Sequence, residues 1–495
     1  MVLDTIFTVL KYILTAITVL TLYKFFYMVI GFFWKARKFA ETEKRHKFAV
    51  VICARNEEKV IGNLLDSIHA QNYPKELVTV FVIADNCDDE TAKICREKGA
   101  IVYERQDPKH ARKGWALEYG FKNILRDYGA DYADGFFIFD ADNLLHPDYM
   151  QEMNKAFATD EFDVICGYRN TKNFATNLIS SGYGIHFYRS SFSYHRPRQV
   201  LHTSTHIAGT GYLVKSKWLA EGWHWTCLTE DTQFTYEVIS RGGRIGYCED
   251  AEFYDEQPTR FKTVLKQRIR WAKGRLYAFF AYGYKLIAGI FRKKTNKWAC
   301  YDMIFYGFPY GLCSGLLAIA TFLASFIGVA AASGWQGIVE EYVTLSVLKS
   351  LGVALGLYWL QGVLTAFFVV LRERKKIHCP KPKLVFYVLF FPWFDLVDVP
   401  LSIASLFMHV TWRKIEHDDT TKVQDIVGEL PAAGSQNGTP AQTENAELLP
   451  NPNENADGEP LPKPSENADG EPLPNPNEDV DGEFSLNPNE EAGRR

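Results

Sequence analysis

GFFIFDADNLLHPDYM, residues 135–150, is the stretch on which the fold turns. Phe136, Phe137, Ile138 and Phe139 run without interruption into Asp140, Ala141 and Asp142, and a third acid, Asp148, follows Pro147. An apolar run of this length bounded by polar turn residues predicts a strand buried on both faces, as in a mostly parallel sheet covered by helices. Ligands in open α/β sheets gather at the carboxyl edge of the strands. Two carboxylates one residue apart at that edge therefore require a chemical reason.

Working outward, FAVVIC (48–53), LVTVFVI (77–83) and AIVYE (100–104) predict three more buried strands. Helical patterns occupy Glu57 to Ala70, 88–98 and 112–126 between them. Strand and helix in strict alternation predict βαβ units with right-handed crossovers, so residues 46–257 are expected to form an α/β domain around a doubly wound, mostly parallel sheet. ARNEE rather than GxGxxG follows the first strand, and the chain contains no GxxxxGK, which argues against a dinucleotide enzyme and a P-loop NTPase. What the strand ends supply is acid: Asp85, then Asp140 and Asp142. Carboxylates repel phosphate, but Mg²⁺ or Mn²⁺ takes oxygen ligands and is readily shared between one or two carboxylates and a diphosphate. Asp142 with Asp140 reads as such a tether. Taken alone, the pair reads rather as solvated acids capping the helix after Pro147, and the metal reading needs further support.

The chain has 495 residues, of which 47% are hydrophobic and 15% aromatic, a level that directs attention to membrane segments. Residues 3–33 are apolar apart from Asp4, Lys11 and Lys24, and Lys35, Arg37 and Lys38 follow, so residues 1–36 are expected to be a retained transmembrane anchor with its carboxyl end in the cytosol. Spans at 300–331 and 343–371, with basic clusters at their outer flanks and Asp302 at one mouth, predict a hairpin with both ends inside. The stretch 384–410 is interrupted by Pro392, Asp395, Asp398 and Pro400 and is basic on both flanks. It reads either as a broken, re-entrant pair of helices or as a span, within a membrane region at 298–414. Residues 418–495 carry 18 acidic and four basic residues, and NADGEPLP at Asn455 recurs at Asn467, which predicts a disordered acidic repeat tail. The remaining chain is +10 and suits anionic partners. Nine scattered cysteines, with no CxxC pair, fit a reducing compartment without a disulfide frame.

Two later segments add to the acid pair. WTCLTEDTQFTYEVISRGG sets Glu230 and Asp231 at the start of a helix with Thr229 as N-cap. TRFKTVLKQRIRWAKGRLYAFF, within an interfacial region at 258–290, predicts an amphipathic helix on the membrane surface. Gln267, Arg270 and Trp271 cluster on adjoining turns there, and Arg268 and Lys273 add charge.

The ordered set ARNEE, ADNCDD, DAD, TED and QRIRW resembles the membrane-embedded family 2 inverting glycosyltransferases, the group of cellulose, hyaluronan and poly-N-acetylglucosamine synthases. It does so in register over about residues 46–275 and again at WRKIEH, 412–417. The resemblance implies a GT-A domain that holds a UDP-sugar, with Mg²⁺ or Mn²⁺ on Asp140 and Asp142. It implies donor contacts from Ala54, Glu57, Asp85, Lys113, Asp140, Gln267 and Arg270. Asp231 would be the general base, with Glu230 beside it. Trp271 would stack on the acceptor sugar, and Gly209, Thr210 and Gly211 would let backbone approach it. His195, His202 and His206 are expected in the acceptor cleft or the core. The implied setting is the plasma membrane with the catalytic domain cytosolic, and the implied product a β-linked polysaccharide made from UDP-glucose and exported. Ceramide glucosyltransferases share the DxD and QxxRW features, which keeps a lipid acceptor in view. A non-catalytic nucleotide-sugar-binding scaffold is disfavoured because every catalytic acid is in place, and no nucleic-acid partner is expected. The FxVT gating motif of processive cellulose synthases is missing, so export would call on a homo-oligomer or a separate export partner, or would not occur.

Overall fold

In a computed structural model that describes residues 2–342, 345–408, 410 and 417–428, the first strand, β1 (Phe48–Ala54), is sandwiched between two apolar layers. Ala49 and Val51 join Phe81, Phe136 and Ile138 in one layer, while Phe48, Val50, Ile52 and Ala54 join Val80, Val82, Phe137 and Phe139 in the other. Period-two alternation with apolar residues on both faces is what a sheet covered on both sides demands. Each buried phenylalanine contributes about 1.5–3 kcal/mol.

β2 (Val78–Asp85), β3 (Ile101–Arg105), β4 (Gly135–Asp140), β5 (Leu144–Leu145), β6 (Val164–Thr171), β7 (Tyr212–Lys215) and β8 (Ile245–Asp255) complete an eight-stranded sheet of order β3-β2-β1-β4-β7-β6-β8-β5. The pairs β1–β2, β2–β3, β1–β4 and β6–β8 are parallel. β7 enters antiparallel between β4 and β6, and β5 lies antiparallel on β8. The expected doubly wound, mostly parallel α/β core is present. Cys53 lies beside Asp140 and Ala54 beside Ala84, so the carboxyl ends of β1, β2 and β4 share one edge.

Helices α1 (Val2–Leu20) and α2 (Tyr23–Phe33) precede the sheet. α3 (Ile61–His69), α4 (Thr91–Glu97) and α6 (Tyr149–Ala158) cover one face, and α5 (Lys113–Tyr128) covers the other. α7 (Leu178–Ser190), α8 (Arg196–Val200) and α9 (Glu230–Ser240) follow the later strands. Beyond β8 come α10 (Phe261–Tyr282), α11 (Tyr284–Phe291), α12 (Lys297–Gly307), α13 (Tyr310–Tyr342), α14 (Leu345–Glu373), α15 (Lys381–Leu396), α16 (Asp398–Phe407) and α17 (Val423–Val427). Four stretches, Thr8–Phe33, Tyr310–Tyr342, Val347–Lys376 and Lys381–Phe407, are long and apolar enough to cross a membrane.

The span expected at 300–331 is corrected. Pro309, which lacks a backbone N–H, follows an extended Phe308, so α12 ends and the long apolar helix starts afresh at Tyr310. Asp302 falls in α12 and is fully buried, with Arg198 Nε at 2.7 Å and the Tyr23 and Tyr27 hydroxyls at 2.7 and 3.0 Å. The segment 381–407 breaks between α15 and α16 at Val397, and Pro392 lies inside α15. Its two acids are ion-paired: Asp395 with Arg189 at 2.8 Å and Asp398 with Arg268 at 3.0 Å. Arg196 takes up Glu373 at the end of α14 at 2.6 Å. Arginines of the α/β domain and of α10 thus clasp α12, α14, α15 and α16. The acidic repeat tail beyond residue 428 and most of WRKIEH lie outside the described residues.

Candidate active site

Asp85, at the end of β2, and Asp140, at the end of β4, come to one edge because their strands run parallel. Opposite them stands the amino end of α9 with Glu230 and Asp231, and α10 crosses above with Gln267, Arg270 and Trp271. All of these, with Ala54, Glu57, Lys113, Asp142 and Gly209, line a single cavity of about 320 Å³.

Lys113, at the start of α5, donates to Asp140 Oδ1 at 2.5 Å and to the Gly209 carbonyl at 2.8 Å. Burial alone would lower its pKa, but Asp140 and Glu230 outweigh this and keep the ammonium charged. Asp142 is buried, and its Oδ2 accepts from the Glu256 amide at 3.0 Å. Burial would raise its carboxyl, yet His417, Lys172 and Arg169 hold it below the usual carboxylate range. Asp85 accepts from Arg105 at 2.5 Å and from Asn86 at 2.8 Å, and burial still leaves its carboxyl raised.

Glu230 and Asp231 form the acidic wall. Thr229 occupies the N-cap position of α9, but its side chain makes no capping hydrogen bond; the Thr232 amide donates to Asp231 Oδ1 at 2.7 Å instead. Burial pushes both carboxyls up, and repulsion from Asp231 helps to bring Glu230 to about 7. Two neighbouring acids on the cavity wall with raised pKa values suit proton abstraction. Arg270 faces them from α10 and has no ion-pair partner among the described residues. Trp271 sets its ring edge-on to Tyr183 at 5.9 Å and lies near Phe187, leaving part of the indole exposed along the cavity.

Not every expected residue reaches the cavity. Gly209 adopts φ 82° and lines it, whereas Thr210 and Gly211 lie behind its wall. Thr210 Oγ1 accepts from the Asp140 amide at 2.9 Å and donates to Asn143 at 2.5 Å, so it braces the acid pair. At Gly211, φ 68°, an added Cβ would strike the Phe253 ring at 2.1 Å. Arg268 and Lys273 are spent on holding the apolar helices, through Asp398 and the Phe394 carbonyl and through the Met408 carbonyl respectively. His206 is in the cavity wall, His195 stacks behind it at 4.6 Å, and His202 is exposed.

His417 is a site residue that no motif assigned. It follows the last apolar stretch, yet its Nδ1 lies 3.1 Å from Glu57 Oε2 and it lines the cavity. Burial alone would discharge it, but Asp142, Glu57 and Glu256 push it up to about 9. Neighbouring residues fasten this segment down: Lys59 meets Asp418 at 2.6 Å, and the Asp418 and Asp419 amides donate to Glu256. The only signal in the sequence was WRKIEH itself, which carried resemblance but no role.

The donor set at Asp140 and Asp142 is hard oxygen, which fits Mg²⁺ or Mn²⁺. Among the described residues no three His, Cys, Asp or Glu side chains already converge at ligating geometry. Such an ion would therefore rest on one or two carboxylates and complete its shell with water and a ligand's phosphates.

Residues 46–274 match the family model described as "Glycosyltransferase like family 2". The chain is 26% identical over 275 residues to a probable glycosyltransferase of Bacillus subtilis, covering 54% of this chain and 63% of that protein. It is 24% identical over 246 residues to a beta-monoglucosyldiacylglycerol synthase of Synechocystis, covering 49% of this chain and 50% of the relative. The chain thus spans half to three fifths of the length of these curated relatives. Among solved structures, a mannosyltransferase from Pyrobaculum calidifontis in complex with GDP-Man and Mn²⁺ aligns with a TM-score of 0.49 at 17% identity, covering 79% of this chain and 99% of that one.

Proposed function

Because the chain carries a glycosyltransferase-like family 2 domain over residues 46–274, we propose that it is a membrane-bound, metal-dependent inverting glycosyltransferase. It moves a hexose from a UDP-sugar, UDP-glucose first among them, to the hydroxyl of a growing β-linked polysaccharide and feeds that product toward export. One observation carries this reading: Asp140, Asp142, Asp231 and Arg270, remote from one another in sequence, line the same cavity at the carboxyl edge of the sheet.

The chemistry follows from the walls. UDP lies along the β1–β2–β4 edge, with Asp85 toward the base and Glu57 and Lys113 alongside the nucleotide. Asp142 and Asp140 would hold a divalent ion, which would supply charge neutralisation for the diphosphate. Asp231 takes the proton of the acceptor hydroxyl as its oxygen attacks the anomeric carbon. The bond from that carbon to the phosphate oxygen breaks on the opposite face, and its electron pair leaves with UDP. Arg270 meets the charge that grows on the leaving diphosphate with a planar, two-pronged donor. Trp271 offers an apolar face to the acceptor ring.

Basic residues at the ends of the apolar stretches argue for a catalytic domain on the cytosolic side of the plasma membrane. The units are then an anchor at 1–36, a catalytic domain at 46–257, interfacial helices at 258–290 and a membrane region at 298–414, with a homo-oligomer or an export partner completing any polymer path. A second reading, transfer to a lipid, is favoured by the Met303 and Tyr306 lining: α12 contributes both, and the apolar stretch from Tyr310 follows three residues after it. The Synechocystis relative's name points the same way.

Asp231→Asn in the full chain tests the assignment. Transfer should fall by about 10²–10⁴-fold with UDP affinity nearly intact; wild-type turnover by this variant would refute Asp231 as the base.

A further inference from the structure

α10 and α11 form one nearly continuous helix, because Gly283 between them keeps right-handed helical angles, φ −61° and ψ −26°. Along it Tyr277, Phe280, Tyr284, Ile287 and Phe291 recur at steps of three and four, and each is more than half exposed. At 3.6 residues per turn they share one stripe about 80° wide. Gly274, Ala278, Leu286 and Gly289 are buried on the opposite side. There the helix is held close, since an added Cβ at Gly289 would lie 2.8 Å from Cys300 Sγ and 3.3 Å from Ser240 Cα. A fixed helix with a row of large uncovered side chains marks an interaction face.

The stripe runs into FRKKTNKW, 291–298. Arg292, Lys293, Lys294 and Lys297 are exposed there. Arg292 donates to the Ser240 carbonyl at 2.9 Å, while the three lysines have no ion-pair partner among the described residues. No Asp or Glu lies between Glu256 and Asp302, so the segment carries nothing to neutralise them. At its far end Trp298 Nε1 donates to the Tyr27 hydroxyl at 3.0 Å, and the Tyr301 hydroxyl donates to the Leu20 carbonyl at 2.9 Å. The loop therefore adjoins Thr8–Phe33, a stretch long and apolar enough to cross a membrane. The charge and the apolar row together select the partner. An anionic leaflet takes both, with side chains sunk at the headgroup boundary and ammonium groups on phosphates. A nucleic acid or acidic protein would meet the lysines but leave Ile287 and Phe291 in water.

We propose that the stripe from Tyr277 to Phe291, with Lys293, Lys294 and Lys297, is a docking surface for anionic phospholipid of the adjoining leaflet. The apolar side chains enter the headgroup boundary, and the lysines take the phosphodiester groups. Arg292 and Gly289 hold the same segment against Ser240 at the end of α9, so the leaflet also braces the helix that carries Glu230 and Asp231. This surface lies outside the cavity and does not depend on the glycosyltransferase reading.

Full-length protein on an affinity resin is washed with mixed micelles holding equal amounts of phosphatidylglycerol and phosphatidylcholine, and the retained lipids are extracted and measured. Wild type should retain phosphatidylglycerol in preference, and about 0.5 M salt should remove most of that preference by screening. Replacing all three lysines, Lys293→Gln, Lys294→Gln and Lys297→Gln, should lower the preference by at least about fivefold. Ile287→Ser with Phe291→Ser should reduce retention of both lipids. A charge-matched control, Lys75→Gln, Lys109→Gln and Lys122→Gln, alters exposed lysines of the α/β domain and should leave the preference in place. Wild-type preference in the first triple variant, or unchanged retention in the serine variant, overturns the surface. An equal fall in the control does so too, since net charge alone would then explain the preference. Displacement of phosphatidylglycerol by inorganic phosphate or by polyglutamate at matched ionic strength would replace the lipid with a soluble anion and also overturn it.

Discussion

Asp302→Leu should be among the most damaging single changes outside the cavity. Its carboxylate meets Arg198 Nε at 2.7 Å and Nη2 at 3.1 Å, and neither side chain has any exposed surface. The Tyr23 and Tyr27 hydroxyls of α2 donate to the same carboxylate. Leucine would leave the guanidinium buried without a counter-charge, at a cost of about 3–5 kcal/mol. Loss of the two tyrosine acceptors adds to this, because each hydroxyl left unpaired costs about 1–3 kcal/mol when it cannot turn toward water. Arg198→Leu alone should be similarly harmful. The double change to leucine removes both charges together and should recover most of the loss, since apolar pairs of similar volume often replace buried ion pairs without penalty. Unfolding of the detergent-solubilised protein, read as a double-mutant cycle, measures the coupling. The reasoning fails if Asp302→Leu lies within about 1 kcal/mol of wild type, a surface-pair value, or if the two single losses simply add. Activity is at stake as well as stability, because the pair fixes α12, which carries Met303 and Tyr306 into the cavity.

Burial lifts the Glu230 and Asp231 carboxyls, Glu230 to about 7, so the acid limb of kcat/KM should lie above the ordinary carboxylate range; an acid limb within that range would contradict the raised pair. The sign for stability is opposite to that of a salt-bridged acid. The folded chain keeps a proton that the unfolded chain has lost, so stability is eroded as pH rises from about 4.5 to about 7, and Glu230→Gln should flatten that slope in pH-dependent unfolding. Excess chelator should stop transfer and added Mn²⁺ or Mg²⁺ should restore it, with Asp142→Ala needing far more metal; full turnover in chelator would remove the case for the acid pair as a metal tether.

The α/β core was legible because its strands are apolar on both faces, and tertiary packing had nothing to override. Asp85 and Asp140 could be read because each ends a strand, with Asp142 in the turn just beyond, and parallel strands bring their ends to one edge. Asp302 could be read only as an acid beside an apolar span, and its partner could not be read at all. Apolar neighbours set the expectation, but in α12 the deciding fact is an arginine 104 residues away in sequence that no local pattern reveals. Thr210 and Gly211 differ again: they lie in the turn that leads into β7, where Thr210 takes the Asp140 amide and Gly211 packs against Phe253, so neither lines the cavity.

The residues that sequence reasoning missed share one property. Tyr236 lies one turn beyond the acids on α9, His417 returns from beyond the last apolar stretch, and Tyr306 comes from α12, so each joins the cavity only through packing between distant segments. The cavity is therefore built in two parts with different demands. The sheet edge depends on the register of the parallel strands, while the end lined by Met303 and Tyr306 depends on how α10 and α12 seat against α9. A change in α12 should consequently reach that end first and leave the donor edge in place. On the reading of Asp231 as the base, weakening the Arg198–Asp302 clasp short of unfolding should therefore raise the acceptor KM before it alters the donor KM, and an equal rise in both would refute the division.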